Sequence, residues 1–80
     1  MADKADLQNW VKDCLREAGG EGSIVEICRY VWNRHETQLR GSGDLFFTWQ
    51  YDIRWAAHEL REKGELRPAS ASPKGIWQLR

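Results

Sequence analysis

The segment FFTWQYDIRW, residues 46–55, carries side chains that can hydrogen-bond to nucleobases and stack on them. Gln50 and Arg54 are four residues apart, so on a helix they share one face. In the major groove of duplex DNA a guanidinium can donate two hydrogen bonds to guanine, and a carboxamide can pair with adenine. Tyr51 adds an aromatic ring with a polar end. This spacing favours a helix that reads bases.

Polar and basic residues on either side extend this group. The candidates for contact with DNA are Thr48, Gln50, Tyr51, Arg54 and His58 on the helix, and Arg67, Ser70, Ser72 and Lys74 nearer the C-terminus. Hydroxyl, guanidinium and ammonium groups at the second location suit phosphate oxygens, which fix the position of a protein on the duplex. The alternative for each is a solvated or ion-paired surface residue.

Charge does not attract this chain to DNA as a whole. Its 80 residues contain twelve Lys and Arg and twelve Asp and Glu, for a net charge of zero. Binding must therefore come from local charge, and we expect an isolated domain to bind weakly. The expected phosphate contacts are Arg34, Arg54, Arg67 and Lys74. Three or four such contacts predict a log–log dependence of affinity on salt with a slope of about −3.

Two helices precede the candidate segment. Apolar residues at steps of three and four predict helix one over residues 4–18, capped by Asp3 or Asp6 and ended by Gly19 and Gly20. Ser23 and Glu26 have the spacing of a capping box and predict the start of helix two. The glycines of RGSGD predict a loop after it.

Helix three is predicted from Thr48, as N-cap, to Gly64. Its core face consists of Trp49, Ile53, Ala56, Ala57 and Leu60. Tyr51 and Trp55 then lie outside that face, and three interpretations remain open for them. They contact DNA, they form a protein-binding patch, or the loop that carries Phe46 and Phe47 covers them together with the C-terminal segment.

The period changes after Gly64. ELRP and GIWQLR predict two short strands of a hairpin, with Trp77 and Leu79 pointing inward, and GGEG between the first two helices leaves room for a minimal extra strand. Three helices followed by a hairpin predict an α+β fold, a winged helix-turn-helix with a C-terminal β-hairpin wing, in one domain over residues 1–80. A three-helix bundle with a frayed tail would leave the apolar GIWQL in water.

The C-terminal half resembles a known family. RWAAHELREKGELRP followed by KGIWQL is similar to the N-terminal domain of Mrr-type restriction endonucleases, in which a helix with Arg-Trp-Ala and a Leu ends in Gly and a short wing closes with Gly-x-Trp. The matching residues are Arg54, Trp55, Ala56, Leu60, Gly64, Leu66, Gly75 and Trp77. The resemblance implies a winged-helix module that recognises DNA ahead of a separate catalytic domain, at the N-terminus of a longer bacterial restriction, defence or regulatory protein.

Other functions are less compatible with the sequence. The two histidines lie on different helices, without a paired carboxylate motif or a Gly-rich phosphate loop, so we expect no enzymatic activity. Cys14 and Cys28 lack the spacing of zinc ligands and are expected to be structural thiols, and no cofactor is expected. Neither a membrane-spanning run nor a signal segment is evident, which predicts a cytoplasmic protein.

Two functions therefore remain. The first is recognition of double-stranded DNA, with helix three in the major groove and the wing on the backbone. The second is a protein-interaction winged helix that docks a partner domain or a second copy through Tyr51 and Trp55, without binding DNA. A coherent positive surface that joins Arg54, Arg67 and Lys74 would favour the first.

Overall fold

The computed structural model describes residues 2–80. This part of the chain folds as a small α+β domain with three helices and a two-stranded antiparallel sheet. In chain order the elements are α1 (Asp6–Glu17), β1 (Glu21–Ser23), α2 (Ile24–Arg40), α3 (Leu45–Glu62) and β2 (Ile76–Gln78), with a 3₁₀ turn at Ala69–Ala71 between α3 and β2.

The predicted bounds of α1 are confirmed to within two residues. Asp3 and Asp6 organise the turn before it, because the Asp6 N–H donates to Asp3 Oδ1 (3.2 Å) and the Asp3 N–H donates to Asp6 Oδ2 (3.0 Å). After the helix, Gly19 takes a φ of +83°, which a residue with a side chain rarely adopts. The chain therefore turns sharply into β1.

The start of α2 is the predicted capping box. The Glu26 N–H donates to Ser23 Oγ (3.2 Å), and the Ser23 N–H donates to Glu26 Oε1 (2.9 Å). The helix kinks at His35 (φ −128°, ψ 18°), whose ring stacks on Trp10 of α1 with centroids 3.8 Å apart. The last turn after the kink delivers Leu39 to the core, where it is fully buried.

The predicted start of α3 at Thr48 is wrong. The helix begins at Leu45, so Phe46 and Phe47 form part of its first turn and do not lie in a loop. Buried Leu45 and half-buried Phe46 explain the earlier start, because an extra helical turn brings Leu45 into the core and Phe46 beside Trp32 of α2. The end is as predicted: Gly64, at φ +78°, follows the last turn.

The C-terminal hairpin is only partly as predicted. The regular ladder of β2 is with β1, pairing Glu21 with Gln78 and Ser23 with Ile76. The predicted partner ELRP contributes a single bridge, between Leu66 and Leu79, although the Arg67 N–H donates to the Gln78 carbonyl (2.9 Å). The chain at residues 76–79 thus lies between β1 and the segment that follows α3. The extra strand at GGEG is confirmed in position.

The core lies where the three helices and the sheet meet. The predicted face of α3 is confirmed, since Trp49, Ile53, Ala56, Ala57 and Leu60 are all buried. Trp77 and Leu79 pack against this core from β2 and the residue after it, as predicted. The other fully buried large side chains are Leu7, Val11, Leu15, Ile27, Val31, Leu39 and Leu66. Within residues 2–80, no helix combines the length and the apolar character needed to cross a membrane.

Candidate nucleic-acid interface

A groove of about 830 Å³ runs between α2 and the N-terminal half of α3. Three of the predicted site residues, Gln50, Tyr51 and Arg54, line its α3 side. The remaining lining residues are Ile24, Val25, Cys28, Arg29, Trp32, Asn33, Phe46 and Trp49. Two arginines thus face one groove, and among the described residues that line it there is no carboxylate. The groove is therefore locally positive in a chain of zero net charge.

Arg29 and Arg54 are available to a ligand. Both are exposed, and within residues 2–80 neither forms a salt bridge. Arg54 extends toward α2, where its charge acts on Cys28: burial raises the pKa of the Cys28 thiol, and the Arg54 guanidinium partly opposes this. The guanidinium of α3 and that of α2 can therefore approach a single anionic ligand from the two sides of the groove.

Aromatic rings line the groove and its rim. Trp32 stacks on Trp49 with centroids 5.9 Å apart, and Phe46 packs beside Trp32 at 6.4 Å. Tyr51 is 75% exposed and Phe47 is 83% exposed. Large aromatic side chains left in water at one place are typical of a surface that contacts a ligand.

Tyr51 and Trp55 have different environments. Trp55 is half-buried, and the ammonium of Lys4 lies 4.5 Å from its ring centroid, so the N-terminal segment covers it. The interpretation that a loop and the C-terminal segment cover both residues is wrong for Tyr51, which stays open to solvent. Tyr51 is thus the member of this pair that can make contact.

The carboxylate of Asp52 is turned away from the groove. Asp52 lies outside the predicted core face of the helix, yet it is only 8% exposed. Its carboxylate accepts a hydrogen bond from the Thr48 hydroxyl (2.7 Å) and lies 3.8 Å from the Lys4 ammonium. These contacts satisfy the charge on the side of α3 opposite Arg54. The near neutrality of the helix sequence therefore does not describe its groove-facing side.

Thr48, His58 and Arg34 are not part of the groove. The Thr48 hydroxyl is held by Asp52, and the exposed His58 lies 3.7 Å from Glu62 on its own helix. Arg34 was an expected phosphate contact, but its guanidinium donates to Glu17 (2.9 Å) on α1. Arg29, which lines the groove, takes the place of Arg34 among the available cations.

The C-terminal candidates divide into two pairs. Ser72 and Lys74 line a second cavity of about 350 Å³ between the last turns of α3 and the loop before β2. Arg67 and Ser70 are exposed outside it. Arg61, which was not among the predicted site residues, enters this cavity from α3. Its signal in the sequence was its position seven residues after Arg54, two turns further along the same side of the helix.

Both thiols have raised pKa values. Burial is the main cause for Cys14, whose pKa rises to about 11, and Glu26 and Glu17 add to the effect. A thiol that stays protonated at neutral pH is a poor nucleophile and a poor metal ligand. Among residues 2–80, His, Cys, Asp and Glu side chains do not gather in any group of three that could hold a metal ion.

Comparison of this chain with protein-family models, with curated proteins and with solved structures found no match.

Proposed function

We propose that this chain is a winged helix-turn-helix domain that binds duplex DNA, as the recognition module of a bacterial restriction- or defence-related protein like the Mrr-type enzymes that its C-terminal half resembles. The observation that carries the proposal is the distribution of charge around α3. The groove beside α2 contains Arg29 and Arg54, the cavity beside the wing contains Arg61 and Lys74, and no Asp or Glu of the described chain lines either one.

Both cavities open along one side of α3. At about 100° per residue, Gln50, Arg54 and Arg61 lie within about 40° of one another, whereas Asp52 and Glu59 lie about 140° or more from all three. From Arg54 to Arg61 the helix rises about 10 Å. This side of α3 is therefore a row of hydrogen-bond donors with α2 at one end and the wing at the other.

That arrangement supports insertion of α3 into the major groove. In this proposal the Arg54 guanidinium donates two hydrogen bonds to a guanine, and Gln50 pairs with adenine. Arg29 on α2 and Arg67 and Lys74 at the wing then reach phosphates on the two strands that border the groove. The domain acts as a binding module, and catalysis belongs to another part of a longer protein.

The affinity of this interface should be modest and sensitive to salt. Three phosphate contacts, from Arg29, Arg67 and Lys74, predict a log–log slope of affinity with salt of about −3. Removing one of these cations should make the slope shallower by about one.

The test is a titration of the ¹⁵N-labelled domain with a mixed-sequence duplex at low and at near-physiological salt. We expect amide shifts at residues 24–33, 48–58 and 67–76 that shrink as salt rises. Arg54→Ala and Lys74→Ala should each weaken binding without unfolding the domain, because both side chains are exposed and lack a salt-bridge partner in the described chain.

Arg16→Ala is the matched control. Arg16 is an exposed arginine of α1 that pairs with Asp13 at 3.3 Å, outside both cavities. Arg16→Ala and Arg54→Ala remove the same charge from the chain. If both substitutions weaken duplex binding equally, the attraction is only nonspecific. Unchanged affinity in both Arg54→Ala and Lys74→Ala would contradict the proposal.

One observation favours a second function, the docking of a protein partner. Val25, Phe47 and Tyr51 are exposed by 53%, 83% and 75%, and they lie near one another along α2 and the start of α3. If this surface joins two copies of the chain, light scattering at high concentration should give twice the monomer mass. Tyr51→Ala should then lower the measured mass toward that of the monomer. A monomer at all concentrations counts against self-association.

A further inference from the structure

The cavity between α3 and the loop before β2 has the chemistry of an anion site. Its volume is about 350 Å³, and Arg61 and Lys74 line it from two different segments of the chain. Its other lining residues carry no charge: Ala69, Ser72, Pro73, Gly75, Ile76 and Trp77. In the part of the chain that the structure describes, neither cation forms a salt bridge. Two positive charges thus face one concave space without an internal counter-ion.

Arg61 is held in position from the protein side and lacks a partner on its polar side. Its guanidinium lies 5.8 Å from the ring centroid of Trp77, a contact that fixes the planar group against β2. Its Nε–H is buried and has no hydrogen-bond acceptor among residues 2–80. A buried donor without an acceptor is uncommon in folded proteins, so the Arg61 guanidinium retains hydrogen-bonding capacity that the described part of the fold does not use.

The loop that closes the cavity is also ordered by its own contacts. The Ser72 hydroxyl donates to the Pro68 carbonyl (3.2 Å), and the Ile76 N–H donates to the Pro73 carbonyl (3.0 Å). The Ser72 hydroxyl therefore already donates its proton within the loop, and the loop holds Lys74 at the rim of the cavity. The donors left for a ligand are therefore the guanidinium of Arg61 and the ammonium of Lys74.

We propose that this cavity binds a phosphate group between Arg61 and Lys74. The guanidinium of Arg61 and the ammonium of Lys74 suit a phosphate group, whose non-bridging oxygens can accept hydrogen bonds from both cations at once. The inference rests on the proposed function in one respect: the source we expect is a phosphate of the DNA backbone, because the cavity opens on the same side of α3 as Arg54. A free phosphate or a phosphorylated partner would offer the same chemistry, and the test below distinguishes these two sources from the DNA backbone.

The first arm uses inorganic phosphate alone. The ¹⁵N-labelled chain is titrated with sodium phosphate and, separately, with sodium chloride at matched ionic strength and pH. We expect saturable shifts at the Arg61 Nε–Hε resonance and at the amides of Lys74 and Gly75, with a Kd on the order of 1 mM, as suits one small ion held by two cations. Chloride should move these signals little.

The second arm uses Lys74→Gln, because replacing Arg61 would also disturb the contact with Trp77. The phosphate titration of Lys74→Gln should reach half-saturation at a several-fold higher concentration. Lys63→Gln is the matched control, since Lys63 is an exposed lysine that donates to Gln8 (2.7 Å) away from the cavity. It should titrate like the unmodified chain.

The outcomes separate the site from its source. Absence of a shift at Arg61, or equal shifts with chloride, would overturn the phosphate site, while duplex-induced shifts at Gln50 and Arg54 would still support DNA binding. If the phosphate titration confirms the site and Lys74→Gln binds the duplex more weakly than Lys63→Gln does, the DNA backbone is supported as the source of the phosphate. Equal duplex binding by the two variants would overturn that source and assign the cavity to a free phosphate or a phosphorylated partner.

Discussion

Ser23 shows how one residue can set the position of a whole helix. Its reciprocal hydrogen bonds with Glu26 satisfy two backbone N–H groups that the first turn of α2 would otherwise leave unpaired. These bonds also hold the pKa of the Glu26 carboxyl below its usual range, because they stabilise its charged form. Since α2 carries Arg29 into the groove, the capping box fixes where that arginine lies.

Ser23→Ala should therefore destabilise the domain by about 1 kcal/mol, the typical cost of losing a helix cap. The measurement is the free energy of unfolding from urea denaturation at pH 7. Glu26→Gln is the control, because its amide oxygen can still accept from the Ser23 N–H and should cost less. A Ser23→Ala protein as stable as the unmodified chain would show that the box contributes nothing.

Asp52 makes a contact that could not be predicted from the sequence around it. Helical spacing left it outside the predicted core face of α3, but Lys4 from the N-terminal segment lies beside it and over Trp55. Spacing along one helix cannot reveal which distant segment packs on it. The same reason explains Arg34, which looks free in the sequence and is paired with Glu17 of α1 in the fold.

At the scale of elements, the earlier start of α3 changes the groove. The added turn places Phe46 in the wall, in contact with Trp32, and leaves Phe47 83% exposed at the rim. Thr48 is a good N-cap by type, and this local preference predicted the wrong start. The burial of Leu45 in the core and the packing of Phe46 beside Trp32 of α2 override it, and such tertiary contacts are not contained in a local signal.

Phe46→Ala and Phe47→Ala form a matched pair that tests this placement. Phe46 is half-buried, so its loss should destabilise the domain by roughly 1.5–2.5 kcal/mol, about half the typical cost for a fully buried Phe. Phe47→Ala should change the free energy of unfolding by less than about 0.5 kcal/mol, because the ring already faces water. Urea denaturation of both variants gives the comparison, and equal losses would contradict the helical start at Leu45.

The sequence predicted most elements but not all of their partners. The capping box, the core face of α3, the stop at Gly64 and the minimal strand at GGEG all follow from local chemistry, and they are confirmed. The pairing of β2 with β1 joins residues more than fifty positions apart, and neither strand carries a local sign of its partner. The inward side of β2 was still predictable, because alternation alone sets it.

For the molecule as a whole, the important property is where its charges lie. Net charge is zero, yet carboxylates engage cations on the α1 side of the fold: Glu17 with Arg34 at 2.9 Å, and Glu65 with Lys12 at 2.8 Å. The cations lining the two cavities beside α3 are left without such partners in residues 2–80. The net charge of zero therefore hides a difference between two sides of the fold: charges are paired on the α1 side, whereas the cations beside α3 are unpaired within the described chain.

The same carboxylates predict how stability depends on pH. Hydrogen bonds from Tyr30 to Glu17 and from Lys12 to Glu65, as well as the capping box at Glu26, hold the pKa of each carboxyl below its usual range. The folded state thus releases these protons more readily than the unfolded chain does. Stability is fully present above the unfolded pKa and is lost as pH falls through the lower folded values, so it should decline below about pH 4.3.

Urea midpoints at pH 7 and pH 3.5 measure this loss, and we expect the lower midpoint at pH 3.5. In Glu65→Gln the link between α1 and the segment after α3 is weakened at every pH. This variant should therefore have a lower midpoint at pH 7 and a smaller drop on acidification than the unmodified chain. Equal drops in the two proteins would show that the Lys12–Glu65 pair has no part in acid lability, and would leave Glu17 and Glu26 as its source.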